Sequence, residues 1–153
     1  MTEKQEHILR QKLETVFDGL YQEAEDILKQ FNPCEARVKN GCFSCIGQTS
    51  KLGGNNTAQC CCIGCSKWTD KGCVADKPLT CRTWLCNLAG ARHEEADNAL
   101  FRLSSKVSNL GFYVTRGDKQ ASLDKAISII KDDEDDSFTF LHDWAKNILT
   151  LDS

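Results

Sequence analysis

The first fifth of the chain carries apolar side chains at steps of three and four. They are Ile8, Leu9, Leu13, Val16, Phe17, Leu20, Tyr21, Ala24, Ile27, Leu28 and Phe31. That period lines one face of a helix and predicts an amphipathic helix over residues 3–31. Glu3 and Glu6 stand in its first turn, where the helix dipole favours anions. Asn32-Pro33 ends it, because proline disfavours right-handed helical geometry in the residue before it. Gly19 is a weak point in the interior, costing about 1 kcal/mol relative to alanine.

The same period returns late in the chain. Asp76-Lys77-Pro78-Leu79 has the form of a helix start, with Asp76 near the N-cap and proline in the first turn. The helix it opens would carry Cys81, Trp84, Leu85 and Leu88 and stop near Gly90. A second helix is expected from about 92 to 110, with Ala96, Ala99, Leu100, Leu103, Val107 and Leu110 on one face and Gly111 at its C-terminal cap. Phe112–Thr115 reads as a short strand, followed by a turn at Arg116-Gly117-Asp118. A helix over 119–131 turns Leu123, Ala126, Ile127 and Ile130 inward. Asp132–Asp136 reads as a solvated acidic linker, and Ser137 as the cap of a last helix carrying Leu141, Trp144, Ala145, Ile148 and Leu149. The fold class is therefore mainly α: a helical bundle of one long N-terminal helix and three or four C-terminal helices, with a loop-rich cysteine segment inserted. Residues 1–153 read as a single domain, divided into an N-terminal helix (1–33), a cysteine-rich segment (34–86) and C-terminal helices (87–153).

The middle segment has no sustained period of 3.6 or 2, and Gly53-Gly54-Asn55-Asn56-Thr57 is a turn or flexible loop. Six of the ten glycines and all ten cysteines fall in it. The cysteines are Cys34, Cys42, Cys45, Cys60, Cys61, Cys62, Cys65, Cys73, Cys81 and Cys86. Such a stretch buries too little apolar surface to hold itself together, and a structural metal is the usual remedy. The chain opens with Met1-Thr2-Glu3-Lys4-Gln5-Glu6-His7, which lacks the apolar stretch of a secretory signal. No run reaches the 18 or so apolar residues that span a bilayer. Cytoplasmic placement follows as the expectation. In a reducing compartment clustered thiols are metal ligands more often than disulfides.

Two Cys-x-x-Cys units stand out, Cys42-Phe-Ser-Cys45 and Cys62-Ile-Gly-Cys65. The spacing lets a tight turn aim two sulfurs at one ion, and Gly47 and Gly64 supply permissive backbone. Cys73, Cys81 and Cys86 follow. The run Cys60-Cys61-Cys62 diverges in direction, so only one or two of its members suit a single ion; Cys60 and Cys34 are the weakest candidates. The expected metal ligands are Cys42, Cys45, Cys61, Cys62, Cys65, Cys73, Cys81 and Cys86. A tetrahedral set of four thiolates suits zinc, the first choice, and equally the four corners of an iron–sulfur cluster, the second. Trp68 and Trp84 flank the cysteines, as shields for the site.

Charge changes the picture in one respect. The whole chain carries −3, with a pI near 5.6, which argues against a general nucleic-acid binder. The cysteine segment holds seven Lys and Arg against three acids, a net of +4, so the remainder carries −7. That local excess reads first as an offset to thiolate charge, since four thiolates on Zn²⁺ leave a net −2, and second as a small basic contact patch.

The stretch Cys61-Cys62-Ile-Gly-Cys65-Ser-Lys-Trp-Thr-Asp-Lys-Gly-Cys73, continuing to Lys77-Pro78-Leu79-Thr80-Cys81-Arg82 and Cys86, resembles the bacterial YkgJ-type zinc- or iron-chelating family over about residues 42–86. Members pair a double cysteine with a later Gly-x-Cys and an Arg-Pro-x-x-Cys-Arg; Lys77 stands at the first arginine here. The resemblance implies a chelated zinc or an iron–sulfur cluster. Relatives include a flagellin lysine methylase, but no catalytic motif for that reaction stands in this chain.

Three readings result. The first is a small cytoplasmic metal-binding protein of bacteria or their phages, a structural or interaction module with another protein as partner and no membrane. The second is an iron–sulfur redox or sensor protein or enzyme, and the third a zinc-based nucleic-acid binder. Walker, G-x-G-x-x-G, G-x-S-x-G and H-E-x-x-H motifs are missing. His93-Glu94-Glu95 at a helix start complements the dipole more simply than it makes a catalytic base. His7 and His142 sit singly on helices, expected at the surface or half-buried, with a place as fourth metal ligand open to either.

Overall fold

The computed structural model describes residues 1–33, 35, 37–39, 42–44, 68–69, 72–73, 79, 83, 85, 87–113 and 119–151; for 37–39, 42–44, 68–69, 72–73, 87 and 88 it describes the backbone alone. The elements are α1 (Glu3–Phe31), β1 (Arg37–Lys39), β2 (Cys42–Ser44), β3 (Trp68–Thr69), β4 (Gly72–Cys73), α2 (Asn87–Arg92), α3 (Glu94–Asn109), α4 (Lys119–Lys131) and α5 (Thr139–Leu151). The protein is mainly helical, as the periodicity predicts. It divides into two compact units: Met1–Glu23 with Pro78–Thr80 and Leu103–Ser153, and Ala24–Lys77 with Cys81–Arg102.

In the first unit, α1 starts at a reciprocal cap. The Thr2 hydroxyl accepts from the Gln5 backbone N–H at 3.1 Å, and the Gln5 side chain accepts from the Thr2 N–H at 2.9 Å. This capping box satisfies two of the donors that a helix start leaves free. Leu9, Leu13, Phe17 and Leu20 of α1 are buried, a narrower stripe than the full apolar list. Leu79, Leu103, Val107, Leu110, Phe112, Leu123, Ala126, Ile127, Ile130, Leu141 and Ala145 complete this unit's core. Phe17 and Phe112 meet edge to face, with centroids 5.5 Å apart and planes at 71°. That is the geometry the ring quadrupoles favour.

Phe112 is therefore core rather than the first residue of a strand. The expected strand at Phe112–Thr115 is not found at Phe112 and Tyr113, and Val114 and Thr115 lie outside the described residues. The reason lies in how α3 ends. Gly111 has φ +72°; its N–H donates to Ser108 O at 3.0 Å, and the Phe112 N–H donates to Val107 O at 3.2 Å. These two bonds make a Schellman cap, whose final apolar residue folds back onto the helix. Gly111 is thus the cap the sequence predicts. A Cβ there would meet Ile129 Cδ1 at 2.6 Å and Leu141 Cδ2 at 3.2 Å.

The α4 helix matches its expected bounds, and all four expected inward residues are buried, joined by Ser122. Ser122 Oγ accepts from the Tyr113 N–H at 3.4 Å. An ion-pair ladder links α1 to α4: Glu6 to Lys131 at 2.7 Å, Arg10 to Asp124 at 2.7 Å, and Glu14 and Asp18 to Lys119, each at 2.9 Å. Hydrogen bonds donated to the Glu14 and Asp18 carboxylates hold the Lys119 ammonium above the usual lysine range. The last helix begins at Thr139, two residues beyond Ser137. Asp132–Asp136 is a hydrogen-bonded turn rather than a bare linker. The Asp132 carboxylate accepts from Glu134 N–H at 3.2 Å, and the Asp135 carboxylate from Ser137 N–H at 2.9 Å. Aspartates favour such local bonds and so hold a turn without a core.

In the second unit, α1 ends at Asn32, which has φ 41° and donates its N–H to Leu28 O at 2.9 Å. A left-handed asparagine at this position is a C-terminal cap in its own right, and buried Pro33 follows it. Ala24, Leu85, Ala89, Ala96 and Leu100 are buried here. Of the helix expected from about Asp76 to Gly90, Leu79 and Thr83 are helical and Leu85 is not; α2 then runs from Asn87 to Arg92, with Gly90 inside it. Gly90 is a close-approach site: a Cβ would lie 3.1 Å from Asp97 Oδ1. A single residue, His93, separates α2 from α3. The i→i−4 bonds run on through the break, His93 N–H to Ala89 O and Asp97 N–H to His93 O, both 2.9 Å.

Candidate metal centre

The segment read as loop-rich contains two short antiparallel hairpins. In the first, β1 and β2 pair Arg37 with Ser44, Val38 with Phe43 and Lys39 with Cys42. In the second, β3 and β4 pair Trp68 with Cys73 and Thr69 with Gly72. Strands of two and three residues show no more than one alternation, so a period of 2 does not register in the sequence. The one signal available is Asn40-Gly41 between β1 and β2, the commonest two-residue hairpin sequence.

Two of the expected ligands therefore have a described backbone. Cys42 opens β2 and is the first residue of the first Cys-x-x-Cys unit. Cys73 closes β4 opposite Trp68, three residues before which stands Cys65 in the sequence. The side chains of all ten cysteines lie outside the described residues, as do Cys45, Cys61, Cys62, Cys65, Cys81, Cys86, Gly47, Gly64 and Trp84 altogether. Among the described residues no group of three or more His, Cys, Asp or Glu converges on a metal position. What bears on a metal is the chemistry of the donor set. Thiolates alone fill a tetrahedral Zn²⁺ site, and the same four sulfurs ligate the corners of an iron–sulfur cluster.

A cluster at Glu35, which follows Cys34 in the sequence, carries no local sequence signal. Glu35 has φ 49°, a left-handed conformation costing a residue other than glycine about 1–2 kcal/mol. Its Oε2 accepts from Arg92 Nη1 at 3.3 Å and lies 3.4 Å from His93 Nε2. Partial removal from water works to raise the Glu35 carboxyl, but hydrogen bonds from His93 and Arg92 prevail and hold it below the ordinary range. His93 thus faces a carboxylate 58 residues away rather than its neighbours. Glu94 and Glu95 occupy the first turn of α3, as the dipole argument expects. No local pattern joins residues so far apart, so only the fold reveals the contact.

His7 is exposed. His142 lines a cleft of about 390 Å³ with Gln5, Lys131, Asp133 and Lys146 among its walls, and its Nε2 is buried with no hydrogen-bond partner. Among the described residues no helix is long and apolar enough to cross a membrane.

The chain matches no protein-family model, no curated protein and no solved structure. The fold and the sequence together define a small, mainly α-helical protein with a cysteine-rich, hairpin-containing segment.

Proposed function

We propose that residues 34–86 form a metal-binding module and that the chain is a small cytoplasmic protein, of bacterial or phage origin, whose metal serves a structural or interaction role toward a partner protein. The observation that carries the reading is ten cysteines within one segment, two pairs of them in Cys-x-x-Cys units. The hairpin register supports it: Cys42 opens a strand and Cys73 closes one, and tight hairpins are a common way to present paired thiolates. Zinc is the first choice, because a closed Cys₄ site supplies folding energy to a segment poor in core. The ligand set is drawn from Cys42, Cys45, Cys61, Cys62, Cys65, Cys73, Cys81 and Cys86.

An all-thiolate donor set equally favours a second reading, an iron–sulfur protein with a redox, sensing or catalytic role. A third, a zinc-based nucleic-acid binder, rests on the +4 charge of the segment and is opposed by −7 elsewhere. Elemental analysis with a visible spectrum decides, on protein purified without oxygen or added metal. Zinc with no colour supports the structural module. Iron with matching sulfide and a visible charge-transfer band supports the second reading. Salt-sensitive retention of colourless protein on heparin supports the third. Protein with neither metal overturns all three.

A further inference from the structure

Glu35 is the second residue of the cysteine-rich segment, and Arg92 and His93 stand six and seven residues beyond its last cysteine, Cys86. One carboxylate therefore ties the entrance of the segment to its exit, at 3.3 and 3.4 Å. Nine of the ten cysteines lie inside the loop so closed. Both anchors are fixed by more than this contact. Glu35 N–H donates to Asn32 O at 2.8 Å, just past the end of α1, and His93 sits within the continuous backbone bonding of α2 and α3. A left-handed glutamate persists only where its surroundings over-determine it.

We infer that the contact of Glu35 with Arg92 and His93 is a clasp that positions the metal centre by holding the two ends of the cysteine segment together. The inference rests on the metal-binding reading above. Its physical basis is chain entropy. Bringing distant thiolates to one ion requires closing long loops, at a cost that grows with the logarithm of loop length. With the ends already tied, less freedom remains to be lost when the metal binds. By linkage, whatever factor the clasp adds to metal affinity, the metal adds to the stability of the clasp. The size of that factor is bounded by the clasp itself. Glu35 is 42% exposed and Arg92 65% exposed, so the pair is a surface one, and the factor is about two- to fivefold.

The test is a zinc titration of the full, reduced chain in competition with a chromogenic chelator. It compares wild type with Glu35→Asn, since asparagine tolerates the left-handed backbone but is neutral and too short to reach Arg92. The expected result is a two- to fivefold weaker zinc affinity with an unchanged far-ultraviolet spectrum. Glu35→Gln, which keeps an acceptor of the right length, should fall between the two. Raising the salt from about 0.05 to 0.5 M should bring wild type and Glu35→Asn together, because salt screens an exposed pair. A purely structural role for Glu35 would leave their difference salt-independent. Should Glu35→Asn fail to fold, Arg92→Gln with His93→Gln removes the clasp from the other side. Equal zinc affinities, or a gap that salt does not narrow, overturn the clasp alone. A wild-type chain that binds neither zinc nor iron overturns the metal reading and the clasp with it.

Discussion

The Glu14 carboxylate and the Lys119 ammonium meet at 2.9 Å, and Asp18, one turn further along α1, takes the same ammonium at 2.9 Å. Lys119 is 33% exposed, so the pairing is partly screened and worth about 1 kcal/mol at most. Its pKa is raised in the folded state. The stabilisation is therefore complete below the unfolded value, near 10.5, and is lost as pH rises through the folded value above it. Urea denaturation of wild type and Lys119→Met should differ at pH 7 and converge in alkali once the pH has passed the raised folded value. A gap that persists in strong alkali would assign the effect to packing of the lysine stem instead.

Glu35 has the opposite sign. Its carboxyl is held below 4.5, so its contribution is present above that value and lost as pH falls through the depressed one. Wild type and Glu35→Gln should differ in stability at neutral pH and coincide in acid. A difference unchanged at about pH 2 would deny the carboxylate any part in it.

Two glycines make a contrasting pair. Gly19 is exposed, and a Cβ there meets nothing within 4 Å. Gly19→Ala should stabilise by about 1 kcal/mol, a rise in melting temperature of about 2–4 °C. Gly111 is left-handed, and a Cβ there lies 2.6 Å from Ile129 Cδ1. Gly111→Ala should cost about 1–2 kcal/mol for the backbone and more for the crowding. Differential scanning calorimetry separates the two, and melting shifts of the same sign would contradict either the open helix interior at Gly19 or the cap at Gly111.

His142 buries Nε2 without a partner. An enclosed, unsatisfied polar atom costs about 1–3 kcal/mol, and an apolar replacement of similar shape removes that cost. His142→Phe should melt at or above the wild-type temperature. A clear loss of stability would mean that the imidazole has a partner in solution.

Replacing Cys62 and Cys65 by serine should lower metal content and expose residues 34–86 to hydrogen exchange before the helices open. Unchanged metal content and unchanged exchange in that segment would remove these two cysteines from the ligand set.

How much of this was legible depended on whether the determining interaction was local. The α4 helix could be read to the residue, because Leu123, Ala126, Ile127 and Ile130 repeat at helical spacing and all four are buried. Gly111 could be read as a cap, since only glycine takes a left-handed turn freely. The capping box at Thr2 and Gln5 has its signal in plain sequence, threonine followed three residues later by glutamine, beside the acidic first turn. Gly90 misled: it marks close approach of Asp97 rather than a helix end. Phe112 misled too, because an apolar residue after a helix serves a Schellman cap as well as it starts a strand. The hairpins at Cys42 and Cys73 were too short for periodicity to register. The Glu35 clasp was beyond reach, since its partners meet only once α1 and α2 are in place. Of the eight expected ligands, the backbone is described for Cys42 and Cys73 alone.

The ladder between α1 and α4 has one more property. Along α1 the participating charges run minus at Glu6, plus at Arg10 and minus at Glu14 and Asp18. Along α4 they run plus at Lys119, minus at Asp124 and plus at Lys131. Counted as three rungs, with Glu14 and Asp18 sharing Lys119, each pattern reads the same in sign from either end, so by sign alone the two helices would match whichever way one of them pointed. Sliding either by about a turn, however, sets Arg10 towards a lysine and an α1 carboxylate towards Asp124. The charges thus work as a vernier: they fix how far along each other the helices lie and carry no information about direction, which the connecting turns must supply.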